Sequence, residues 1–368
     1  MKICFYNVTA SFIQGGLETY CWEAGRALAR RGHRVSIVAG AGGEPRHQEL
    51  ELLRFPFRRE QAWPDLGKRF RRLMERVSFG THSLQHLVGA GYDAVVVNKP
   101  FDFPILWQAR RKGLAAQTVF RSGGTEFYFG DRYFVGSVDH WLSTSRYNAA
   151  QVQAHFGREV QVVHNGVDVD QFKPLQREAQ LRQSLGLPEA ARVIASVGRL
   201  VGWKGLRVIL DAMPQLPRDV HFLVIGEGPE EEKLRAQARA RGVAERVHFC
   251  GRVAHDRLPQ ALAQADILVQ PSIGEESFGI TLVEAMACAL PVLASRQGGM
   301  TEIVLPGVTG DLLPAGEVEA WRAAIEQLLQ QPDRMRTMGA AARMRVAAEF
   351  TWVANAAKLE RLLLEGRK

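Results

Sequence analysis

Glu276 and Glu284 stand eight residues apart in GEESFGITLVEAMACALPVLAS, residues 274–295. They flank a Phe278-Gly279 turn that opens an alanine-rich helical pattern, and that pattern leads to a strand-like run from Pro291 to Ser295. If the whole span were helical, the two carboxylates would lie roughly 12 Å apart along the axis. Such a separation argues against a general acid/base dyad acting on one atom. It suits two hydrogen-bonding clamps on an elongated ligand whose anionic middle sits at the helix N-terminus. A sugar joined to a nucleoside diphosphate has that outline. The plainer alternative makes Glu276 a first-turn dipole partner and Glu284 a solvated face residue. Leu282, Val283, Ala285 and Met286 around Glu284 argue instead for partial burial.

A second polar set follows the strand-like VIASV run. Gly198-Arg199-Leu200-Val201-Gly202-Trp203-Lys204-Gly205 reads as a strand end opening into a helix, with its two cations five residues apart. Ligands of doubly wound sheets collect at the carboxyl ends of strands, so Arg199 and Lys204 are placed to meet phosphate. Arginine offers a bidentate fork and lysine a point charge, and the glycines permit close backbone approach. Gly226-Glu227-Gly228-Pro229-Glu230 looks superficially like a dinucleotide loop. It lacks the third glycine, and Pro229 precedes an acidic helix start, so it matches an NAD fingerprint poorly.

In the first half, Gln14-Gly15-Gly16-Leu17-Glu18 lies between the first strand and a helix running to about Arg31. A glycine pair at a helix N-terminus can admit an anion or can be merely a turn. Gly298-Gly299-Met300-Thr301-Glu302 is open to the same two readings. Asp168-Val169-Asp170 has the spacing of a D-x-D metal site. It follows an Asn165-Gly166 turn and precedes Phe172-Lys173-Pro174, where the chain leaves its sheet, so structural use is expected.

The elements that must position these groups are written in the apolar pattern. Runs at Ile3–Val8, Val35–Ala39, Ala94–Val97 and Val160–Val163 alternate with helical stretches in the first half. Val193–Val197, His221–Ile225, Val247–Cys250, Ile267–Val269 and Pro291–Ala294 do so in the second. This βαβ rhythm predicts an α/β fold with two doubly wound domains, a number that 368 residues also suit. The expected division is 1–175 and 176–350, with the break in the polar, strandless run after Phe172 and before Leu187. No apolar run is long enough to cross a bilayer, and Met1 leads straight into KICFYNV without a basic n-region, which predicts a cytoplasmic protein. Cys4, Cys21, Cys250 and Cys288 are scattered, as reduced thiols would be, without zinc-site spacing.

A net charge of +8 implies an anionic partner: nucleic acid, a phosphorylated substrate or a membrane surface. Residues 54–76 concentrate Arg54, Arg58, Arg59, Lys68, Arg69, Arg71, Arg72 and Arg76 around Phe55, Phe57, Trp63 and Phe70. Such a segment fits either anionic lipid or a solvated basic helix face.

The Glu276–Glu284 run resembles the E-x7-E signature of retaining GT-B glycosyltransferases of family 4. Gly198 to Gly205, Gly226 to Glu230, Cys250-Gly251-Arg252-Val253 and Gly298 to Glu302 resemble further motifs of that family in the same order, as does Asn165-Gly166-Val167-Asp168. The resemblance implies two Rossmann-like domains, an N-terminal one for the acceptor and a C-terminal one for the nucleotide sugar. It also implies a last helix, about Thr351 to Leu364 within 351–368, that packs back on the first domain. On the matching positions, Arg199 and Lys204 bind the donor diphosphate, Glu276 approaches the transferred sugar and Glu284 holds the ribose hydroxyls. Gly15, Gly16, Gly198, Gly226, Arg252, Val253, Phe278, Gly279, Ile280 and Thr281 join them as donor-side residues, with no metal. The family often places a histidine just before Gly-Thr-Glu. In VFRSGGTEFY, residues 119–128, Gly123 stands there, which leaves Glu126 and Asp102 as acceptor-side candidates or as simple surface acids.

Asn98-Lys99-Pro100 resembles a segment of lipopolysaccharide core glucosyltransferases. With the basic segment, that likeness favours a hexosyl transfer from a nucleotide sugar, UDP-linked by preference, to a glycolipid or cell-surface glycan at the cytoplasmic face of an inner membrane. A nucleotide-sugar 2-epimerase or a non-catalytic binder of the same fold is the alternative. A nucleic-acid partner would need aromatic stacking platforms that the sequence does not offer.

Overall fold

The computed structural model describes residues 1–13 and 15–366; Gln14 of the first glycine loop and Arg367 and Lys368 of the 351–368 segment lie outside the described residues. The chain divides into two compact units, one of Met1–Gly166 with Trp352–Lys368 and one of Val167–Thr351.

Among the described residues the first unit holds seven strands: β1 Lys2–Tyr6, β2 Arg34–Gly40, β3 Glu51–Phe55, β4 Ala94–Val97, β5 Gln117–Ser122, β6 His140–Ser143 and β7 Gln161–Val162. Their order is β3-β2-β1-β4-β5-β6-β7, with every pairing parallel. The second unit holds β8 Arg192–Val197, β9 Val220–Ile225, β10 Val247–Phe249, β11 Ile267–Gln270, β12 Val292–Ser295 and β13 Gly310–Leu313. These run β10-β9-β8-β11-β12-β13, again all parallel. Both are doubly wound sheets of the Rossmann order, as the rhythm of the sequence predicts. Central strands such as AVVV of β4 and VHFLVI of β9 are buried at every residue, because helices cover both faces of a parallel sheet. The strand order reverses between β1 and β4 and between β8 and β11, which opens a crevice at the carboxyl ends of those pairs.

The division falls between Gly166 and Val167, not in the polar run after Phe172. Phe172 and Leu187 belong to the core of the second unit. Between them Arg182, also buried, donates from Nη1 to the Gln264 carbonyl and from Nη2 to the Pro188 and Ala191 carbonyls. A polar composition there conceals an anchored helix, Ala179–Ser184. At the other crossing, the helix Trp352–Glu365 lies in the first unit against the helix Gly16–Arg30. Glu360 meets Arg31 and, at 2.8 Å, His33 Nε2; Gln117 Nε2 donates to the Leu363 carbonyl at 2.9 Å.

Segment 54–76 is not a uniform lipid-facing stripe. The Phe57 ring stacks on Phe12 at 5.4 Å, Phe55 and Phe57 pack against the first unit's core, and Arg76 is buried in an ion pair with Asp102. Lys68 and Arg69 are exposed together with Leu66, while Arg58 lies over the Trp63 ring at 4.5 Å. No helix among the described residues is long and apolar enough to cross a membrane.

Candidate functional site

The carboxyl ends of β8, β9 and β11 approach one another through glycine. Gly226 has φ 139°, and a β-carbon there would fall 1.9 Å from the Gly198 carbonyl oxygen; one at Gly205, φ 69°, would fall 1.9 Å from that of Pro271. No side chain fits at either position. The close packing brings the Lys204 side chain across Gly198, with Cε 3.7 Å and Nζ 3.8 Å from where a β-carbon of residue 198 would stand. Arg199, at the mouth of the same turn, is exposed and forms no ion pair with the described residues.

Lys204 Nζ donates to Glu276 Oε1 and lies 4.8 Å from the centre of the Trp203 ring. Oε1 also accepts from Gln270 Nε2 at 3.0 Å and Ser272 Oγ at 3.1 Å. Thr281 Oγ1 in turn donates to Gln270 Oε1 at 2.8 Å, which fixes the amide that holds the glutamate. Thr281 therefore serves the site by orienting Gln270. Three donors converge on one oxygen of a buried carboxylate and leave the other, Oε2, without a protein partner among the described residues. The backbone beneath is clamped by Gly298 and Gly299, whose β-carbons would strike the Glu276 and Ser277 carbonyl oxygens at 2.2 and 2.4 Å. Close approach to Glu276 is thus what the second glycine pair provides.

Gly279, at φ 108°, turns the chain into the helix Ile280–Ala287, whose first N–H groups have no intrahelical acceptor. Phe278 points the other way, into the core against Phe350 at 5.9 Å, so only its backbone borders the site. One helical stretch later, Glu284 is buried, and its Oε1 lies 2.8 Å from His255 Nε2. His255 follows the Cys250–Val253 turn; Gln171 Nε2 donates to its carbonyl at 3.2 Å, and its ring stands 5.1 Å from that of Phe172. Sequence reasoning missed His255 because it is a lone histidine in a polar loop, and only the fold brings it to Glu284. Arg252 is exposed and paired with Glu227 at 3.2 Å, whereas Val253 packs on the core.

The second unit thus gathers two cations, two oriented carboxylates and a helix N-terminus at the reversal between β8 and β11. The model of "Glycosyltransferase Family 4" matches residues 14–171, and that of "Glycosyl transferases group 1" matches residues 177–345. The chain belongs to the family 4 glycosyltransferases. It is 35% identical over 236 residues to the GDP-mannose-dependent alpha-(1-6)-phosphatidylinositol monomannoside mannosyltransferase of Mycolicibacterium smegmatis, across 61% of each chain. The aligned part therefore spans about three fifths of that relative. The D-inositol 3-phosphate glycosyltransferase of Segniliparus rotundus is 28% identical over 373 residues, 93% of this chain and 82% of that one. Among solved structures, the Anabaena protein HepE in complex with UDP-glucose superposes with a TM-score of 0.83 at 24% identity, over 99% of this chain and 100% of that one. This likeness shows the GT-B fold.

In the first unit, the Gly15-Gly16 loop opens the helix Gly16–Arg30. The carboxylate of Glu18 folds back over it: Oε2 lies 2.6 Å from where a β-carbon of Gly15 would stand, and Oε1 accepts from Thr9 Oγ1 at 2.5 Å. A negative charge of the chain itself therefore shares that helix N-terminus. Asp102 is wholly buried on Arg76, with Nη1 at 2.6 Å from Oδ1, so it faces no acceptor and is a structural acid. Glu126 is partly exposed and bound by Arg72 and by Lys99 at 2.8 Å; burial raises its pKa, but the two cations outweigh burial and hold it below the ordinary range. It stays ionised at neutral pH and cannot serve as a general acid there. Asp168 Oδ1 accepts from the backbone N–H groups of Asp170 and Gln171 at 3.0 and 3.2 Å, which is a turn, and among the described residues no cluster of metal-ligating side chains forms.

Proposed function

We propose that the chain transfers a hexosyl group from a nucleotide sugar, with retention of configuration and without a metal, to a glycolipid or cell-surface glycan acceptor. The observation that carries this is the convergence of Lys204, Gln270 and Ser272 on one oxygen of Glu276, which leaves a fixed acceptor oxygen beside two phosphate-competent cations. Arg199 and Lys204 meet the donor diphosphate, Glu276 Oε2 takes a hydroxyl of the sugar, and Glu284 takes the ribose. The bond from the anomeric carbon to phosphate breaks as the acceptor oxygen attacks the same face. The acceptor's proton passes to the departing phosphate. Charge growing on that phosphate is met by cations already in place, which is where binding energy accelerates chemistry. A UDP-sugar as donor is supported by the HepE likeness, and a GDP-sugar by the mannosyltransferase relative. A lipopolysaccharide-type acceptor and membrane attachment rest on the basic side chains Lys68, Arg69, Arg71 and Arg72.

The deciding experiment is a metal-free thermal-shift and slow-hydrolysis screen against UDP-, GDP- and ADP-sugars. Stabilisation by one nucleotide with slow release of its diphosphate is expected. Stabilisation without release of diphosphate would point to a binding role, and silence across the panel overturns the nucleotide-sugar reading.

The ribose contact carries its own prediction. His255→Ala removes the group that fixes Glu284, and nucleoside diphosphate affinity should fall about tenfold. The preference for the ribonucleotide over its 2′-deoxy analogue should shrink with it. Calorimetric titration of both nucleotides checks this, and an unchanged preference would show that Glu284 is positioned without His255.

A further inference from the structure

Arg121, near the carboxyl end of β5, is a buried cation without an acid. It is 1% exposed, and its guanidinium makes one hydrogen bond, from Nη2 to Asn165 Oδ1. Nε is buried with no partner, and Nη1 has none among the described residues. The face of the group rests on the Tyr20 ring at 3.9 Å, in place of a carboxylate. Burial lowers its pKa to about 10, against the pull of Tyr20 and Cys21. A desolvated charge with most of its donors unused is costly unless a counter-ion completes it.

The way to that group lies at Gly123. A β-carbon there would sit 3.2 Å from Arg121 Nη1, and the half-buried glycine leaves the space open apart from the Leu17 side chain, 2.5 Å from the same point. Leu17 is the second residue of the helix Gly16–Arg30, and the end of its side chain covers the opening. The position is one strand beyond the reversal between β1 and β4, where a doubly wound sheet collects ligands. The planar fork of an arginine matches two oxygens of a phosphate.

We propose that Arg121, reached past Gly123 and Leu17, binds a phosphate group carried by the acceptor. That the ligand is the acceptor rests on the glycosyltransferase reading; that the subsite takes phosphate does not. This makes the first unit selective for phosphorylated acceptors through a cation that the absence of a side chain at residue 123 uncovers.

Inorganic phosphate is the probe, titrated into the full chain carrying Lys204→Ala, which removes a phosphate contact of the second unit. Phosphate should still raise the melting temperature of that protein. Adding Arg121→Gln should weaken the phosphate response about tenfold or more. Gly123→Val places a side chain over Nη1 with Arg121 intact, at a residue outside the left-handed region, and should weaken it as much. It keeps the test decisive if Arg121→Gln folds poorly. A response unchanged in both variants, or none at all in Lys204→Ala, overturns the proposal, as does a wild-type response abolished by saturating uridine diphosphate, which would assign the phosphate to the donor. Failure of wild-type protein to bind any nucleoside diphosphate would strike the glycosyltransferase reading and leave the phosphate result standing.

Discussion

Lys204→Ala should lower turnover by about 10²- to 10³-fold, the scale seen when one preorganised donor to a developing charge is removed. The fold should survive. Its ammonium crosses Gly198 at the end of β8, and its partner Glu276 keeps two further donors, Gln270 and Ser272, so no carboxylate is orphaned by the loss. On the proposed mechanism the deficit should appear mainly in kcat, because there the cation is called on most when the bond to phosphate is breaking. Lys204→Arg should rescue little: Lys204 meets Glu276 through a single Nζ, and a longer, planar fork cannot reproduce that point contact. Turnover at saturating donor and the melting temperature are measured together. Normal turnover with normal melting would remove Lys204 from the mechanism.

What the sequence discloses and what it hides divides along physical lines. Buried central strands announce themselves, since both faces of β4 and β9 demand apolar side chains. β3, with its ELLRF half exposed at the sheet edge, and the short edge strand β13, GDLL, carry too little apolar signal to be read. β5 is missed for another reason: QTVFRS places an arginine inside a buried strand, and only the folded structure reveals that this arginine has a ring beneath it and Asn165 beside it. The second-unit motifs are legible because their glycines are forced by backbone approach, as at Gly205 and Gly226. The partners His255 and Gln270 are not legible, for they reach Glu284 and Glu276 across turns that no periodicity encodes. Charge is the least reliable guide. Arg76 reads as one more cation of a basic run and Asp102 as a surface acid, yet each is the other's buried counter-ion.

That pair supports the largest stability prediction. Arg76 is 3% exposed and Asp102 not at all, and Nη1 reaches both carboxylate oxygens, at 2.6 and 2.5 Å. The bond ties the helix Lys68–Gly89 to the turn Pro100–Asp102. Arg76→Met strands an uncompensated carboxylate in the core of the first unit and should cost about 3–5 kcal/mol. Asp102→Leu strands the guanidinium and should cost about as much. Since the desolvation penalty falls on whichever charge is left behind, the double variant Arg76→Met/Asp102→Leu should recover most of the loss instead of summing the two. Denaturant midpoints of the four proteins close the cycle. Additive losses would mean that the side chains hold separate contacts, and a loss below about 1 kcal/mol in Arg76→Met would mean that water reaches the pair after all. A further variant bears on the acceptor: if Asp102 touched it, Asp102→Asn would abolish turnover in a well-folded protein. A buried acid bound to Arg76 predicts the reverse, with stability lost and turnover per folded molecule kept.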